Sequence, residues 1–233
     1  MSDAPNVSST AALIGNPTRA AMLSALLNGK ALPAGELAYA SGVTAQTASA
    51  HLAKMVDGGL LESETEGRHR YYRLAGSHVA QAIEGLAAIR PPGPVRVKPL
   101  TAKQKELRFA RRCYDHLAGE LGVAVTRQLL ARGLIVRGTD KSFDLTPRGV
   151  CWFQQIGIDV AALKPGGLAV ARQCLDWTER THHLGGPLGV ALLEAFCRQA
   201  WLRRSRATRA IQVTLKGQFE FRQRLGVEVH LPR

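Results

Sequence analysis

The stretch from Thr44 to Leu74 constrains the fold most, because it joins a helical pattern directly to two strand patterns. Thr44 is a good N-cap, and the apolar residues that follow it recur at spacings of 4, 3 and 1, which is a helical periodicity. Those inward-facing residues are Ala48, Leu52, Met55 and Val56. Residues 60–62 and 69–74 then have the pattern of two strands around a turn at 65–67. The stretch therefore predicts a helix followed by a β-hairpin.

Two further helices are predicted before it. Residues 17–27 carry apolar side chains at helical spacing, and Asn16 with the following proline marks their start. A second short helix follows Pro33, turns Leu37 and Ala40 inward, and ends at a Ser-Gly pair. Three helices and a hairpin in this order indicate a winged helix-turn-helix.

The outward face of the third helix carries small polar side chains that suit DNA. Gln can reach adenine or a phosphate, hydroxyl groups suit base edges or phosphates, and Lys offers a point charge. Arginines near the hairpin tip can grip the backbone or enter the minor groove. The helix alone is equally consistent with an ordinary solvated face, but the hairpin favours DNA. The candidate DNA-contacting residues are Thr44, Gln46, Thr47, Ser49, His51, Lys54, Arg68 and Arg70.

Four segments together resemble the ArsR/SmtB family of winged helix-turn-helix repressors. They are N-P-T-R at 16–19, T-A-Q-T-A-S-A-H-L at 44–52, D-G-G-L-L at 57–61 and E-G-R-H-R-Y-Y-R-L at 66–74. The resemblance covers residues 1–90. It implies a homodimer, with contacts from the first and last helices, that binds a double-stranded DNA operator and is released by a small inducer.

The chain departs from the metal-sensing members of that family at both of their usual ligand positions. The stretch 35–42, G-E-L-A-Y-A-S-G, has no cysteine. The last predicted helix, 77–89, has a single histidine, His78, which we interpret as a surface residue. Any metal site is therefore expected in the second half of the chain.

The charge divides the chain at a proline-rich segment. Residues 1–90 hold 7 Lys and Arg against 7 Asp and Glu, and residues 91–233 hold 24 against 11, so the whole net charge of +13 lies in the second part. This excess favours a polyanionic partner. We expect a DNA-binding domain at 1–90, a linker at 91–100 and an effector and dimerisation domain at 101–233.

The sequence shows neither an apolar run of about 20 residues that could cross a membrane nor a secretory signal pattern. Four cysteines are also too few and too widely spaced for a secreted disulfide framework. We expect a cytoplasmic protein with no membrane partner.

The second half repeats itself with a period of about 65 residues. Two segments, 113–124 and 174–191, share a Cys, an Asp, a His and an L-G-V-A ending, and a later T-x-x-G recurs at 146–149 and 214–217. This predicts two copies, about 108–165 and 169–233, each made of two helices followed by a strand, a turn and a last helix that weakly resemble part of a winged helix. The whole chain is expected to be mainly α with small β-hairpins, an α+β fold.

The repeat places one Cys and one His at corresponding positions of each copy. Cys113, His116, Cys174 and His183 together would make a tetrahedral site for zinc or another transition metal. Asp115 and Asp176 would orient the histidines or act as alternative ligands. The alternative is that each Cys and His packs in a core while the aspartates cap helices. The two remaining cysteines, Cys151 and Cys197, are interpreted as packing residues.

These patterns predict a sequence-specific homodimeric repressor whose effector binds the second half. The effector is either a metal ion or an organic molecule between the copies, near Tyr114, Trp152 and Trp177. The basic run 201–209 is either a second DNA contact or a solvated helix end. An architectural DNA-binding protein is the main alternative. An enzyme is disfavoured, because the sequence has no nucleotide loop, G-x-S-x-G or H-E-x-x-H.

Overall fold

The computed structural model describes residues 7–27, 29–67, 69–89, 101–164, 169–205 and 208–231. The chain divides into two compact units, Met1–Ile83 and Glu84–Arg233. The predicted linker at 91–100 and the predicted DNA contact Arg68 lie outside the described residues. Within the described ranges, none of the helices has the length and apolar character needed to span a membrane.

The first unit is built from helices and one small sheet. In chain order its elements are α1 (Val7–Ile14), α2 (Pro17–Leu26), β1 (Leu32–Pro33), α3 (Ala34–Ser41), α4 (Ala45–Asp57), β2 (Leu61–Glu66), β3 (His69–Leu74) and α5 (Ser77–Ala88), which runs on into the second unit. The sheet has the order β1-β3-β2 and is antiparallel. The predicted winged helix-turn-helix is thereby confirmed.

Local sequence signals begin and end these helices as expected. The Asn16 side chain accepts a hydrogen bond from the Arg19 backbone N–H, and the Thr44 side chain accepts one from the Thr47 N–H. Gly42 ends α3 with a φ of 68°, a left-handed conformation that glycine adopts without strain. These caps fix the start of α2, the end of α3 and the start of α4.

The core of the first unit follows the predicted apolar pattern except at one position of α3. Its fully buried side chains include Met22, Leu23, Leu26, Leu37, Leu52 and Met55. Ala40, predicted to face inward, is exposed, and Ala38 is buried in its place. The strand β1 was not predicted. It forms because Leu32 pairs with Tyr72 and Pro33 with Tyr71, and such an edge position tolerates a proline.

The second unit contains the following elements after its share of α5. They are α6 (Ala102–Phe109), β4 (Arg111–Cys113), β5 (His116–Ala118), α7 (Gly119–Ala131), β6 (Ile135–Arg137), β7 (Phe143–Leu145), α8 (Pro147–Gln155), β8 (Arg172–Leu175), β9 (His182–Gly185), α9 (Gly186–Arg198), β10 (Leu202–Arg204), β11 (Ile211–Val213), α10 (Leu215–Glu220) and a π-helical turn at Phe221–Leu225. The run from β4 to α8 has the same order as the run from β8 to α10. The internal repeat is therefore a repeat of structure.

The two copies share their local construction as well as their order. Thr146 and Thr214 each accept a hydrogen bond from the glycine N–H three residues on, and each hydroxyl donates to carbonyls at the end of the preceding helix. A Cβ on Gly149 would lie 1.8 Å from the Leu134 oxygen, and one on Gly217 would lie 2.0 Å from the Trp201 oxygen. In both copies the T-x-x-G motif therefore packs closely against the backbone that ends the preceding helix.

Two predicted elements of the second half are wrong. The first element of each copy is a β-hairpin, β4–β5 or β8–β9, and not a helix. The helix α9 ends at Arg198, so the basic run 201–209 is not a helix end but contains the strand β10. In both places the chain pairs with a neighbouring segment, which local periodicity does not reveal.

The copies exchange strand contacts reciprocally. The Arg112 N–H of the first copy donates to the Arg209 oxygen of the second at 2.8 Å, and the Gln173 N–H of the second donates to the Lys141 oxygen of the first at 2.7 Å. The helix α7 packs on β9, and α9 packs on β5. A common core of apolar side chains, including stacked Phe196 and Trp201, joins the two copies. The hairpins β4–β5 and β8–β9 therefore meet at a pseudo-twofold axis.

Candidate metal centre and DNA-contacting face

Each hairpin at the pseudo-twofold axis brings one cysteine opposite one histidine. Cys113 pairs with His116 across β4 and β5, and Cys174 pairs with His183 across β8 and β9. Because directly paired residues point to the same face of a hairpin, each pair presents a thiol and an imidazole together. The four potential ligand atoms lie within 4.8 Å of one another. Sequence reasoning therefore selected residues that the fold brings together, although it placed them on helices.

The distances within this cluster are close to those of a tetrahedral zinc site. The two Sγ atoms are 3.6 Å apart, and the two histidine Nε2 atoms are 3.1 Å apart. Zn–S bonds of about 2.3 Å and Zn–N bonds of about 2.0 Å give tetrahedral edges of about 3.8 and 3.3 Å. Three of the four residues are buried and Cys174 is half-buried. The donor set, its spacing and its burial fit a four-coordinate soft metal ion.

Both histidines point Nε2 into the cluster, while an aspartate lies against Nδ1. The Asp115 carboxylate is 2.8 Å from His116 Nδ1, and the Asp176 carboxylate is 3.4 Å from His183 Nδ1, without a hydrogen bond. A carboxylate behind a ligating imidazole fixes its tautomer and orientation. The predicted outer role of Asp115 and Asp176 stays a prediction, but the geometry suits it.

Asp176 also has a structural role. Its carboxylate accepts hydrogen bonds from the Arg111 guanidinium at 2.8 Å and from the Gly119 N–H, which begins α7, at 2.7 Å. Further bonds come from the Thr178 N–H and hydroxyl and from the Glu179 N–H. Asp176 therefore caps a helix of the other copy, as one of the sequence interpretations held. Asp115, by contrast, lies in the two-residue turn of a hairpin, where its carboxylate contacts His116.

The electrostatics favour a charged pair inside the cluster. The hydrogen bond with Cys113 lowers the pKa of the Cys174 thiol well below its ordinary value, and the two histidines act in the same direction. Burial lowers the pKa of His116, but hydrogen bonds with Asp115 and Cys174 outweigh it and raise that pKa to about 9. The hydrogen bond with Cys174, followed by burial, raises the pKa of Cys113. These shifts favour a thiolate at Cys174 and a protonated imidazole at His116 in the metal-free cluster.

Several residues that shape the cluster were missed by sequence reasoning. A Cβ on Gly185 would lie 3.1 Å from both His116 Nε2 and Cys174 Cβ, so the glycine makes room for the imidazole. The buried Glu84, at the start of the second unit, contacts Cys113 Sγ and forms an ion pair with Arg209 at 3.2 Å. Buried Arg111 holds Asp176. Gly185 stands where the first copy has Ala118, and the two ion pairs join residues far apart in the chain, so no local or repeated pattern identified any of them.

The other candidates in the second unit are dispersed. Cys151 is exposed, which contradicts its interpretation as a packing residue, while Cys197 is half-buried. One cavity of about 290 Å³ lies between α6, β11 and Leu231. Its lining residues include none of the three aromatic residues predicted to surround an organic effector, Tyr114, Trp152 and Trp177.

The predicted DNA-contacting side chains of α4 lie on its open face. All but one of those from Thr44 to Lys54 are exposed, as is Arg70 on β3. The exception is His51, which is half-buried with Nδ1 3.4 Å from Arg19 Nη1. Arg19 also donates to the Leu13 and Ala12 oxygens, so it braces α4 against the end of α1. Sequence reasoning missed this contact.

Comparison with known proteins gives matches to part of the chain and to nearly all of it. Residues 14–64 match the family described as Helix-turn-helix domain. The HTH-type transcriptional regulator YdfF of Bacillus subtilis is 41% identical over 225 residues, which cover 97% of this chain and 99% of that protein. The HTH-type transcriptional regulator CmtR of Mycobacterium tuberculosis is 40% identical over 76 residues, 33% of this chain and 64% of that one.

A solved structure, the NMR structure of the cadmium metal-sensor CMTR from Mycobacterium tuberculosis, aligns with a TM-score of 0.31 and 28% identity. The alignment covers 41% of this chain and 97% of that one.

Proposed function

Because the chain belongs to the family of HTH-type transcriptional regulators, with an ArsR/SmtB-type winged helix-turn-helix as its first unit, we propose that it is a homodimeric, sequence-specific repressor. A metal ion bound in the second unit releases it from a double-stranded DNA operator. The chain acts in the cytoplasm by binding and carries out no reaction. The single observation that carries the metal assignment is the cluster of two thiols and two imidazoles within 4.8 Å.

The DNA-binding part of the proposal rests on α4 and the β2–β3 hairpin. In a winged helix-turn-helix the second helix of the motif lies in the major groove and the hairpin lies against the backbone. Gln46 and Lys54 are exposed on α4, where they can reach a base edge and a phosphate. The first unit has no net excess of either charge, so its affinity depends on a few placed side chains and not on a broad field.

The metal-binding part rests on the chemistry of the cluster. Thiolate and imidazole ligands favour Zn²⁺ and similar soft ions over Mg²⁺ or Ca²⁺, which prefer oxygen. One Cys-His pair comes from each copy of the repeat, so a bound ion would join the two hairpins across the pseudo-twofold axis. An ion held by four protein ligands has no open coordination position, which suits a sensor or a structural role better than catalysis.

The first test is metal binding and its effect on DNA affinity. The purified full chain is titrated with Zn²⁺ and with Cd²⁺, and its affinity for the promoter region of its own gene is measured by fluorescence anisotropy with and without metal. The test variant is Cys113→Ser/Cys174→Ser, and the matched control is Cys151→Ser/Cys197→Ser, which removes the same number of thiols elsewhere. We expect about one equivalent of metal in the wild type and the control, and a promoter affinity that metal lowers only in those two proteins. Metal below a tenth of an equivalent, or equal metal effects in both variants, would contradict the proposal.

A second test separates a repressor from an architectural protein. Promoter DNA and a scrambled duplex of equal length are compared at matched salt, with Gln46→Ala as the variant. Specific binding by regulators exceeds non-specific binding by roughly 10³-fold or more. We expect Gln46→Ala to reduce the ratio of promoter affinity to scrambled-duplex affinity, and to leave the affinity for the scrambled duplex unchanged. Equal affinities of the wild type for both duplexes would assign the chain to the architectural class.

A further inference from the structure

The two copies in the second unit are alike in fold but unlike in charge at one equivalent hairpin. Arg137 at the end of β6 corresponds to Arg204 at the end of β10, because each pairs with the first residue of the returning strand. Lys141 corresponds to Arg209, because each lies two residues before that returning strand. The β6–β7 hairpin also carries Asp140 and Asp144. In the second copy, the sequence between Glu194 and Glu220 contains no acidic residue, and its basic residues are Arg198, Arg203, Arg204, Arg206, Arg209 and Lys216.

The described arginines of the β10–β11 hairpin are placed at the surface and close to further cations. Arg203 and Arg204 are both exposed, and they pair across the hairpin with Gln212 and Ile211. The reciprocal strand contact brings Arg112 of β4 beside Arg209, through a backbone hydrogen bond of 2.8 Å. Glu84 forms an ion pair with Arg209, and the charges of Arg204 and Arg209 both act on Arg112.

Mutual repulsion within this group is visible in the electrostatics. Burial is the largest factor that lowers the pKa of Arg112, and the charge of Arg204 is the next. A concentration of guanidinium groups that repel one another is stabilised by an anion placed between them. Arginine matches phosphate geometry well, because its planar fork donates two parallel hydrogen bonds.

We propose that the β10–β11 hairpin is a second DNA-binding surface, at which Arg203 and Arg204 contact the phosphodiester backbone of duplex DNA. Duplex DNA is the partner because the chain is already a DNA-binding regulator, and phosphates spaced along a duplex supply anions to a hairpin whose own sequence has no acidic residue. Contacts to phosphate carry no sequence information, so the surface raises the affinity for DNA without adding sequence specificity. The proposal rests on DNA binding by the full chain but on no particular operator or effector.

The duplication supplies a matched control. The test variant is Arg203→Glu/Arg204→Glu, and the control is Arg137→Glu/Lys141→Glu, which changes the charge by the same amount on the equivalent hairpin. The affinity of each full-length protein for a random-sequence duplex of about 40 base pairs is measured by fluorescence anisotropy between 50 and 200 mM NaCl. Each phosphate contact contributes about 0.9 to the slope of log affinity against log salt.

Loss of two contacts should make the slope shallower by about 1.8, so the wild type should lose about 12-fold more affinity than the test variant over this fourfold range of salt. The control should keep the wild-type slope. Circular dichroism melting of both variants verifies that the second unit stays folded. Equal slopes for the wild type and the test variant, or an equal change in both variants, would overturn the proposal. Because the probe has a random sequence, either result is independent of operator specificity.

Discussion

The carboxylate of Asp176 is the most connected polar group of the second unit, and its replacement by asparagine gives a sharp prediction. Asp176 and Arg111 are both essentially inaccessible to solvent. One carboxylate oxygen accepts four bonds, and the other accepts the Gly119 N–H at 2.7 Å. In Asp176→Asn the amide nitrogen must replace one of these oxygens, so a donor faces a donor in either orientation.

The expected cost follows from these contacts. The substitution leaves Arg111 as a buried cation without its counter-charge, and breaking a buried ion pair in this way costs about 3 to 5 kcal/mol. For a unit of this size, each kcal/mol lowers the melting temperature by about 2 to 4 °C, which predicts a decrease of roughly 6 to 20 °C. Differential scanning calorimetry with a chelator present measures it without interference from bound metal.

A control and a pH dependence make the prediction refutable. Glu62→Gln removes the exposed ion pair between Glu62 and Arg73 and should cost less than about 1 kcal/mol. Burial raises the pKa of Asp176, but Arg111, Thr178 and the Gly119 N–H outweigh it and hold that pKa well below the ordinary 3.8. A depressed pKa contributes stability that is present above 3.8 and is lost as pH falls, so the difference between wild type and Asp176→Asn should shrink in acid. A loss no larger than that of Glu62→Gln would refute the reasoning.

Three further predictions concern the cluster and the packing. Zinc must displace the protons of His116, whose pKa is about 9, and of Cys113, whose pKa is raised. Binding at pH 7 should release about two protons, and zinc affinity should rise with pH; calorimetry in buffers of different ionisation enthalpy counts the protons, and fewer than one would contradict this. Asp115→Asn should weaken zinc binding about 10- to 100-fold, as a competitive chelator assay would show. Gly217→Ala should destabilise by about 1 to 3 kcal/mol, because its Cβ would lie 2.0 Å from a backbone oxygen, whereas Gly35→Ala, with open space around it, should not. Denaturant titration compares the two.

The first unit was largely predictable because its signals are local. Thr44 as a cap, the inward spacing of Ala48, Leu52 and Met55, and the hairpin after them each act within a few residues. The strand β1 was missed because two residues carry no periodicity of their own. They form a strand only because the fold places Tyr71 and Tyr72 of β3 beside them.

The second unit was predictable in its repetition but not in its elements. The recurrence of Cys and His in each copy predicted four residues whose ligand atoms the fold does bring within 4.8 Å of one another. Its placement on helices was wrong, since three-residue strands such as β4 and β5 are fixed by pairing with distant segments and not by local propensity. Arg111 and Glu84 could not be assigned for the same reason: their partners lie 65 and 125 residues away, respectively, at Asp176 and Arg209.

The reciprocal strand contacts have an evolutionary consequence. Each copy completes its β-structure with a segment of the other, through Arg209 in one direction and Lys141 in the other, so a single copy made as its own chain would expose unpaired backbone. Two identical chains could satisfy that need by associating about a twofold axis, the commonest symmetry of small oligomers, and would meet with one Cys-His pair from each. Fusion into one chain keeps this symmetric centre while freeing each half to change alone. The acidic residues of one hairpin and the arginines of its counterpart are what such freedom allows.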